Sequence, residues 1–347
     1  MKRCLALARR ARGQTSPNPM VGALLYKDDN VIAVDYHKKA GTPHAEPLVL
    51  KKAGEAARDA TLFVNLEPCC HRDKRTPPCT DAIIEAGVKR VVIAMEDPNP
   101  AVSGKGIEVL NSAGIATEVG ILKEQAMRLN EAYIKYITTR SPFVIMKVAM
   151  TLDGKIATPN GESKWITCGT SRNLVHRLRA SVDGVLSAIG TVKADNPKFS
   201  TDIEGLRNPM RIIIDPELAI PEGSNVLKTP PVTYIVTKKN NTYNIDGLKY
   251  IYYDGEIDLK WLMMELGKVG ITSVMIDGGA SLTGHAIEEG IVDKVMVFVA
   301  PKIIGGKGSF SPVQSKTFRS VNDPYGIVNM TVRSIGCDIL IEGYIGR

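Results

Sequence analysis

Residues 66–79 read Leu66-Glu67-Pro68-Cys69-Cys70-His71-Arg72-Asp73-Lys74-Arg75-Thr76-Pro77-Pro78-Cys79, and upstream of them stands His44-Ala45-Glu46. One imidazole and two thiolates, from His44, Cys69 and Cys79, make a tight three-donor set for zinc, and a catalytic zinc keeps its fourth position for water. Glu46, two residues past the histidine, would not ligate. It would face the zinc water, take its proton and hand it to a leaving amine. His44 and Cys69 each stand where a helix is expected to begin, so helix dipoles would help hold the thiolates.

Outward from this stretch the pattern alternates. It predicts a helix at Cys4–Arg12, a strand at Val21–Tyr26 with a hairpin partner at Val31–Asp35, a helix at Ala45–Ala53, a strand at Thr61–Leu66, a helix at Thr80–Ala86 and a strand at Val91–Met95. Short strands separated by amphipathic helices argue for an α/β layer fold. A last helix is expected over Leu122–Thr139, which Ser141-Pro142 stops.

Beyond Pro142 a second α/β series begins, so the domain boundary is read near residues 138–144. Strands are expected at Phe143–Met150, Gly184–Ile189, Arg211–Asp215, Val232–Thr237, Ser273–Ile276 and Lys294–Ala300, with a final antiparallel pair at Ile327–Ile335 and Asp338–Tyr344 turning at Gly336. Helices are expected at Ser171–Ala180, Leu259–Val269 and Leu282–Gly290. Gly104-Lys105-Gly106 and Gly305-Gly306-Lys307-Gly308 fit neither a dinucleotide fingerprint nor a phosphate loop and read as loop turns. The segment Val274-Met275-Ile276-Asp277-Gly278-Gly279-Ala280-Ser281-Leu282 reads strand, double glycine, helix, a turn whose backbone N–H groups can face an anion.

The 347 residues suffice for two domains, each with its own core. At 44% apolar and 23% charged residues the chain is neither disordered nor of low complexity. No apolar run approaches the roughly 20 residues that cross a bilayer, and Met1-Lys2-Arg3 leads into no apolar signal region. A cytoplasmic protein without a membrane partner is expected. Six cysteines are too few for a disulfide scaffold, and the cluster Cys69, Cys70, Cys79 points instead to metal or catalysis, while Cys4, Cys168 and Cys337 are scattered. The net charge of +7 is carried largely by Lys2, Arg3, Arg9, Arg10 and Arg12, and only 5% of residues are aromatic. That is a poor match to a nucleic-acid surface, whereas a phosphorylated small substrate suits a modestly basic protein.

The His-x-Glu … Pro-Cys layout is that of zinc-dependent nucleobase deaminases, although nine residues rather than two lie between Cys69 and Cys79. Other readings of the same residues stay open. His44 could simply cap a helix, or a structural zinc could recruit Cys70 or His71 as a fourth ligand. A nucleic-acid deaminase with a degenerate second half would explain the basic first helix but gives some 200 residues no role. A non-catalytic zinc module would have no use for Glu46.

Together with Pro17-Asn18-Pro19-Met20-Val21-Gly22 and Asp97-Pro98-Asn99-Pro100, the stretch 66–79 resembles the deaminase domain of the bifunctional riboflavin-biosynthesis pyrimidine deaminase/reductase family. In that family the second cysteine arrives late, after a segment like Arg75-Thr76-Pro77-Pro78-Cys79; here the loop at Arg72-Asp73-Lys74 is one residue longer. The resemblance implies a cytidine-deaminase-like three-layer domain over residues 1–141, with one zinc per chain on His44, Cys69 and Cys79 and proton transfer by Glu46. Asn18, His37 and Arg75 would hold the substrate, with Cys70 and His71 around the metal.

Lys147-Val148-Ala149-Met150-Thr151-Leu152-Asp153-Gly154-Lys155-Ile156-Ala157, Trp165-Ile166-Thr167, His176-Arg177-Leu178-Arg179-Ala180, Gly190-Thr191-Val192 and Ala194-Asp195 likewise resemble the reductase domain of that family, itself similar to dihydrofolate reductase. The resemblance implies an NADPH-dependent reductase over residues 142–347. Ala149, Trp165, Thr191, Asp195 and the run Gly279, Ala280, Ser281, Leu282, Thr283, Gly284, His285 would line the cofactor; Ser163, Arg179 and Asp277 would hold the substrate. Three positions depart from the family pattern: Asp277 replaces a usual Glu, Asn196 a usual Asp, and Ser200-Thr201-Asp202 offers an acid where a base holds substrate, with Arg207 or Arg211 as possible stand-ins. The implied activity is deamination of 2,5-diamino-6-(5-phosphoribosylamino)pyrimidin-4(3H)-one followed by reduction of its ribosyl group to a ribityl chain. The implied assembly is a homo-oligomer, dimer or tetramer.

Overall fold

Lys27 pairs with Asn30 across Asp28 and Asp29, both at positive φ (48° and 57°), so the first hairpin closes through a two-residue turn whose twist matches its strands. The computed structural model describes residues 1–71, 77–228, 230–238 and 245–346. They fall into two units, Met1–Arg140 and Ser141–Arg347.

The first unit runs α1 (Lys2–Ala8), β1 (Gly22–Lys27), β2 (Asn30–Tyr36), α2 (Ala45–Ala53), β3 (Thr61–Val64), α3 (Cys79–Glu85), β4 (Arg90–Ile93), α4 (Lys105–Ser112), β5 (Ala116–Val119), α5 (Lys123–Leu129) and α6 (Glu131–Thr139). The sheet order is β2-β1-β3-β4-β5, with β1 antiparallel to both neighbours and β3, β4 and β5 parallel. Leu5 and Ala8 of α1, Val49 and Leu50 of α2, Ile83 of α3 and Leu110 of α4 bury against Leu25, Leu62, Val91 and Ile93 of the sheet. This is the helix–sheet–helix layering of the cytidine-deaminase type.

Two expectations need correction here. The single helix over Leu122–Thr139 is broken at Asn130, which leaves helical geometry (φ −106°, ψ 23°). Its buried amide instead accepts the Met20 N–H at 2.8 Å and donates to the Met20 carbonyl at 3.1 Å. Gly104-Lys105-Gly106 is no loop turn: it opens α4, and β5 follows. Strand β5 is a four-residue edge strand, Ala116-Thr117-Glu118-Val119, without the apolar run that would announce it.

The second unit runs β6 (Phe143–Thr151), α7 (Gly169–Ser181), β7 (Gly184–Ala188), α8 (Ile189–Asp195), β8 (Met210–Ile214), α9 (Asn225–Lys228), β9 (Thr233–Thr237), β10 (Leu248–Tyr252), α10 (Leu259–Lys268), β11 (Ser273–Ile276), α11 (Ala280–Glu288), β12 (Lys294–Ala300), β13 (Ile327–Ile335) and β14 (Asp338–Ile345). Its sheet order is β10-β9-β8-β7-β11-β6-β12-β14-β13. Pairing is parallel from β10 through β12, and the terminal hairpin adds antiparallel. Elements α8, α9 and β10 were not evident from the pattern. In β10 the outer position and partial burial leave no clean apolar alternation. Among the described residues no helix is long and apolar enough to cross a membrane.

Candidate active sites

His44 caps α2 with extended backbone (φ −69°, ψ 169°), which places its ring at the mouth of the helix and Glu46 in the first turn. The reading that Cys69 also begins a helix is corrected. Cys69 lies in the loop after β3, and it is Cys79 that opens α3. The two cysteine segments are stitched together by Cys79 N–H and Thr80 N–H, which both donate to the Cys69 carbonyl (2.9 and 3.3 Å). His44 Nδ1 stands 3.3 Å from Cys79 Sγ and 3.6 Å from Cys69 Sγ, and the three donor atoms lie within 4.8 Å of one another.

Glu46 is buried, and its Oε2 finds no hydrogen-bond partner among the described residues. Burial first, and then the adjacent Cys69 sulfur, push its carboxyl above the ordinary range, against the pull of His44. A buried carboxylate oxygen without a partner, beside one imidazole and two sulfurs, fits a zinc ion and its solvent ligand.

His37 is buried at the end of β2, edge-to-face with the His44 ring at 5.3 Å. Its Nδ1 lies 3.1 Å from the Pro43 carbonyl oxygen, which can only accept, so that nitrogen carries the hydrogen and Nε2 accepts from Asn18 Nδ2 at 3.4 Å. Burial lowers the His37 pKa and keeps the ring neutral. Arg75 and the loop residues Arg72-Asp73-Lys74 lie outside the described residues.

In the second unit the carboxyl ends of β7, β11 and β6, neighbours in the sheet, bring together most of the expected residues, as open parallel sheets do. Ala149 is near the end of β6, Thr191 lies in the first turn of α8 just after β7, and Asp277-Gly278-Gly279 links β11 to α11. Thr191 Oγ1 is 3.8 Å from the point a Cβ on Gly279 would occupy. The start of α11 has no side-chain cap among the described residues, leaving its first N–H groups available to an anion such as a cofactor phosphate. Leu282, Thr283 and Gly284 are buried, so what this helix offers a cofactor is its N-terminal backbone and the exposed Ser281. His285, also on this helix, pairs with Glu289 at 2.6 Å.

Ser163 Oγ donates to Asp195 Oδ1 at 3.1 Å. Trp165 is 64% exposed, its ring covered on one face by the Arg172 guanidinium at 4.7 Å, which leaves most of the indole open to a ligand. Asp277 is held by two cations at once, Lys147 Nζ at 2.7 Å and Arg179 Nη2 at 2.8 Å. Burial alone would raise its pKa; the two cations outweigh it and hold the carboxyl well below the usual range.

Residues 1–95 match the model of the cytidine and deoxycytidylate deaminase zinc-binding region, and residues 142–341 match that of the RibD C-terminal domain. Riboflavin biosynthesis protein RibD of Aquifex aeolicus is 42% identical over 98% of this chain and 96% of its own. The Escherichia coli protein of the same name is 38% identical over 88% of each. Among solved structures, a diaminohydroxyphosphoribosylaminopyrimidine deaminase/5-amino-6-(5-phosphoribosylamino)uracil reductase from Thermotoga maritima superposes with a TM-score of 0.91 at 36% identity, covering 100% of this chain and 97% of its own. Acinetobacter baumannii RibD gives 0.90 at 35%, covering 100% and 98%.

This chain belongs to the RibD family. It joins a zinc-dependent deaminase to an NADPH-dependent reductase, a bifunctional enzyme of riboflavin biosynthesis acting on a small molecule. The reading as a nucleic-acid deaminase with a degenerate second half finds no support among these relatives.

Against the RibD pattern, the three departures have local explanations. Asp277, though one methylene shorter than Glu, still reaches both Lys147 and Arg179. Asn196 takes a left-handed turn (φ 42°) and ties down Asn225 through two 2.8 Å bonds. Asp202 accepts from Ser200 Oγ at 2.5 Å. Neither suggested stand-in reaches the site. Arg207 is paired with Asp183 at 2.6 Å, and Arg211 is buried against Thr233 Oγ1, Pro230 O and Pro231 O.

Two residues that shape the candidate sites escaped the sequence reading. Lys147 was quoted only as part of a motif, yet it shares Asp277 with Arg179. Glu67 is the second: fully buried beside Pro68-Cys69, it accepts the backbone N–H groups of Asp97, Gly104, Gly106 and Ile107 at 2.9–3.2 Å. The signal for it was an acid directly before Pro-Cys facing glycines that open a helix.

Proposed function

We propose that the His44–Glu46–Cys69–Cys79 site deaminates 2,5-diamino-6-(5-phosphoribosylamino)pyrimidin-4(3H)-one and that the second half then reduces the ribosyl group of the deaminated product to a ribityl chain. The observation that carries the first step is the buried, unpartnered Glu46 Oε2 beside three zinc donors. In this reading residues 1–141 form the deaminase and 142–347 the reductase, acting as a cytoplasmic homo-oligomer, dimer or tetramer.

His44, Cys69 and Cys79 would hold the zinc. When bound, the metal supplies a water acidic enough to be a nucleophile near neutral pH. Glu46 Oε2 moves the proton: raised by burial, the carboxyl can accept it and pass it to the exocyclic nitrogen, which leaves as ammonia while oxygen takes its place. His37, neutral and fixed by Pro43, orients Asn18, whose amide oxygen is then turned to a pyrimidine N–H. Arg75 takes a phosphate or ribose oxygen.

In the second half NADPH, when bound, supplies the hydride, and the protein supplies orientation and exclusion of water. Gly279, Ala280, Ser281, Leu282, Thr283, Gly284 and His285 form the helix that receives the cofactor, with Ala149, Trp165, Thr191 and Asp195 around it. Ser163, Arg179 and Asp277 hold the sugar, Asp277 keeping Lys147 and Arg179 in fixed positions.

Purified protein given the diaminopyrimidine substrate should release one ammonia per turnover without NADPH and should consume NADPH only after deamination. Ammonia release with no later NADPH oxidation would remove the second half of the proposal; no ammonia would remove the first.

A further inference from the structure

Three residues beyond Trp165, the fold brings together two cysteines that the chain keeps far apart. Cys168 caps α7, and its N–H donates at 2.8 Å to a carboxylate oxygen of Asp338, 170 positions later. Asp338 opens β14 immediately after the tight turn Gly336-Cys337, where Gly336 sits at φ 63° and a Cβ on it would stand 3.0 Å from Cys168 Sγ. The result is that Cys168 Sγ, Cys337 Sγ and an Asp338 carboxylate oxygen lie within 4.8 Å of one another. Cys337 is exposed and Cys168 half-buried, so solvent reaches the pair. The buried Asp338 fixes both ends: one oxygen holds the Cys168 backbone, and the other is 3.6 Å from Cys337 Sγ.

We propose that Cys168 and Cys337 are a thiol–disulfide exchange site, a reversible dithiol–disulfide couple in which Cys168 attacks a low-molecular-weight disulfide and Cys337 resolves the product. The two thiols are not equivalent. The N–H of Ser171 at the start of α7 is the main cause that brings the Cys168 thiol down to about 7, whereas Cys337 is pushed up, first by its hydrogen bond to Cys168. A lowered thiol on the residue that caps a helix, with an accessible second thiol beside it, has the asymmetry that directed exchange needs.

The chemistry balances with a small disulfide such as oxidised glutathione as oxidant. Cys168 Sγ, as thiolate, forms a bond to one glutathione sulfur and the other leaves as glutathione thiolate, which takes up a proton. Cys337 Sγ then loses its proton, attacks Cys168 Sγ, and expels the second glutathione. Two protein thiols have given up two electrons and two protons; one small disulfide has become two thiols. The new bond ties the amino end of α7 to the β13–β14 turn.

The test uses the full-length, zinc-loaded protein in glutathione buffers of increasing oxidised share, quenched by alkylation and mapped by peptide mass. The expected product is a cross-linked pair of peptides carrying Cys168 and Cys337, two hydrogens lighter than the dithiol, whose fraction rises with the oxidised share and reverses on reduction. Cys337→Ser should accumulate a glutathione adduct on Cys168 with no cross-link, and Cys168→Ser should react at Cys337 about tenfold more slowly. Glutathione adducts in the unmutated protein that never resolve into the cross-link would overturn the proposal. So would two zinc ions per chain falling to one in Cys168→Ser, which would make the pair a metal site.

Discussion

Glu67 Oε1 accepts the Gly106 backbone N–H at 2.9 Å, and a Cβ on Gly106 would stand 2.2 Å from the Pro68 carbonyl oxygen. A buried carboxylate thus grips the start of α4 one residue before the Pro68-Cys69 step, so the same contact that closes the fold also holds the backbone beside Cys69, a donor of the proposed zinc site. Removing it should show in stability before it shows in chemistry. Glu67→Ala leaves four backbone N–H groups to find other partners and should cost about 3 kcal/mol or more. Gly106→Ala, which forces backbone against backbone, should cost about 3 kcal/mol. Urea unfolding of both variants checks the values; a loss under 1 kcal/mol for either would mean the contact does not hold the loop.

Glu46→Gln keeps the size of the side chain and removes its ability to accept a proton. Ammonia release should fall about 10²–10⁴-fold. Zinc content should stay at one per chain, and NADPH oxidation with the deaminated intermediate should be unchanged. Near-normal ammonia release would show that another group moves the proton.

Stripping the metal with a strong chelator should abolish ammonia release while leaving reduction of the deaminated intermediate intact, because all three donors belong to the first unit. Readdition of zinc should restore it. His44→Ala should mimic the stripped protein by metal analysis; retention of one zinc per chain in that variant would place the ligation elsewhere.

Asp277 neutralises Lys147 and Arg179 in a setting where each side chain is less than a fifth exposed. Asp277→Asn leaves two cations facing an amide and should destabilise the protein by about 3–5 kcal/mol at neutral pH. The folded-state carboxyl is held below its unfolded value, so its contribution is present above about pH 4 and is lost progressively as pH falls from there toward the depressed folded-state value. Unfolding curves at pH 7 and pH 3 should therefore differ less for Asp277→Asn than for the unmutated protein. An equal or steeper acid loss in the variant would contradict the pairing.

Much of this architecture was readable beforehand because it rests on local pattern. The hairpin, the α2 helix behind His44, the central parallel strands and the final antiparallel pair are continuous apolar or alternating runs bounded by turn residues, and they lie within a residue or two of expectation. What escaped were elements whose reason is tertiary. The edge strands β5 and β10 have little apolar face, α4 begins on glycines that look like a turn until Glu67 is placed beside them, and the break at Asn130 exists because Met20, 110 positions away, needs a partner.

The sites divide along the same line. His44, Glu46, Cys69 and Cys79 could be named from residue type and order, since an imidazole and two thiols are zinc donors and a carboxylate two residues past the histidine can serve the metal's water. Which cysteine opens a helix could not be named, nor could the service of Lys147 to Asp277, nor the meeting of Cys168 with Cys337. Donor chemistry is a property of the side chain and travels with the sequence. Proximity between residues far apart in the chain is paid for by loop closure and packing, and only the folded molecule determines where that cost is met.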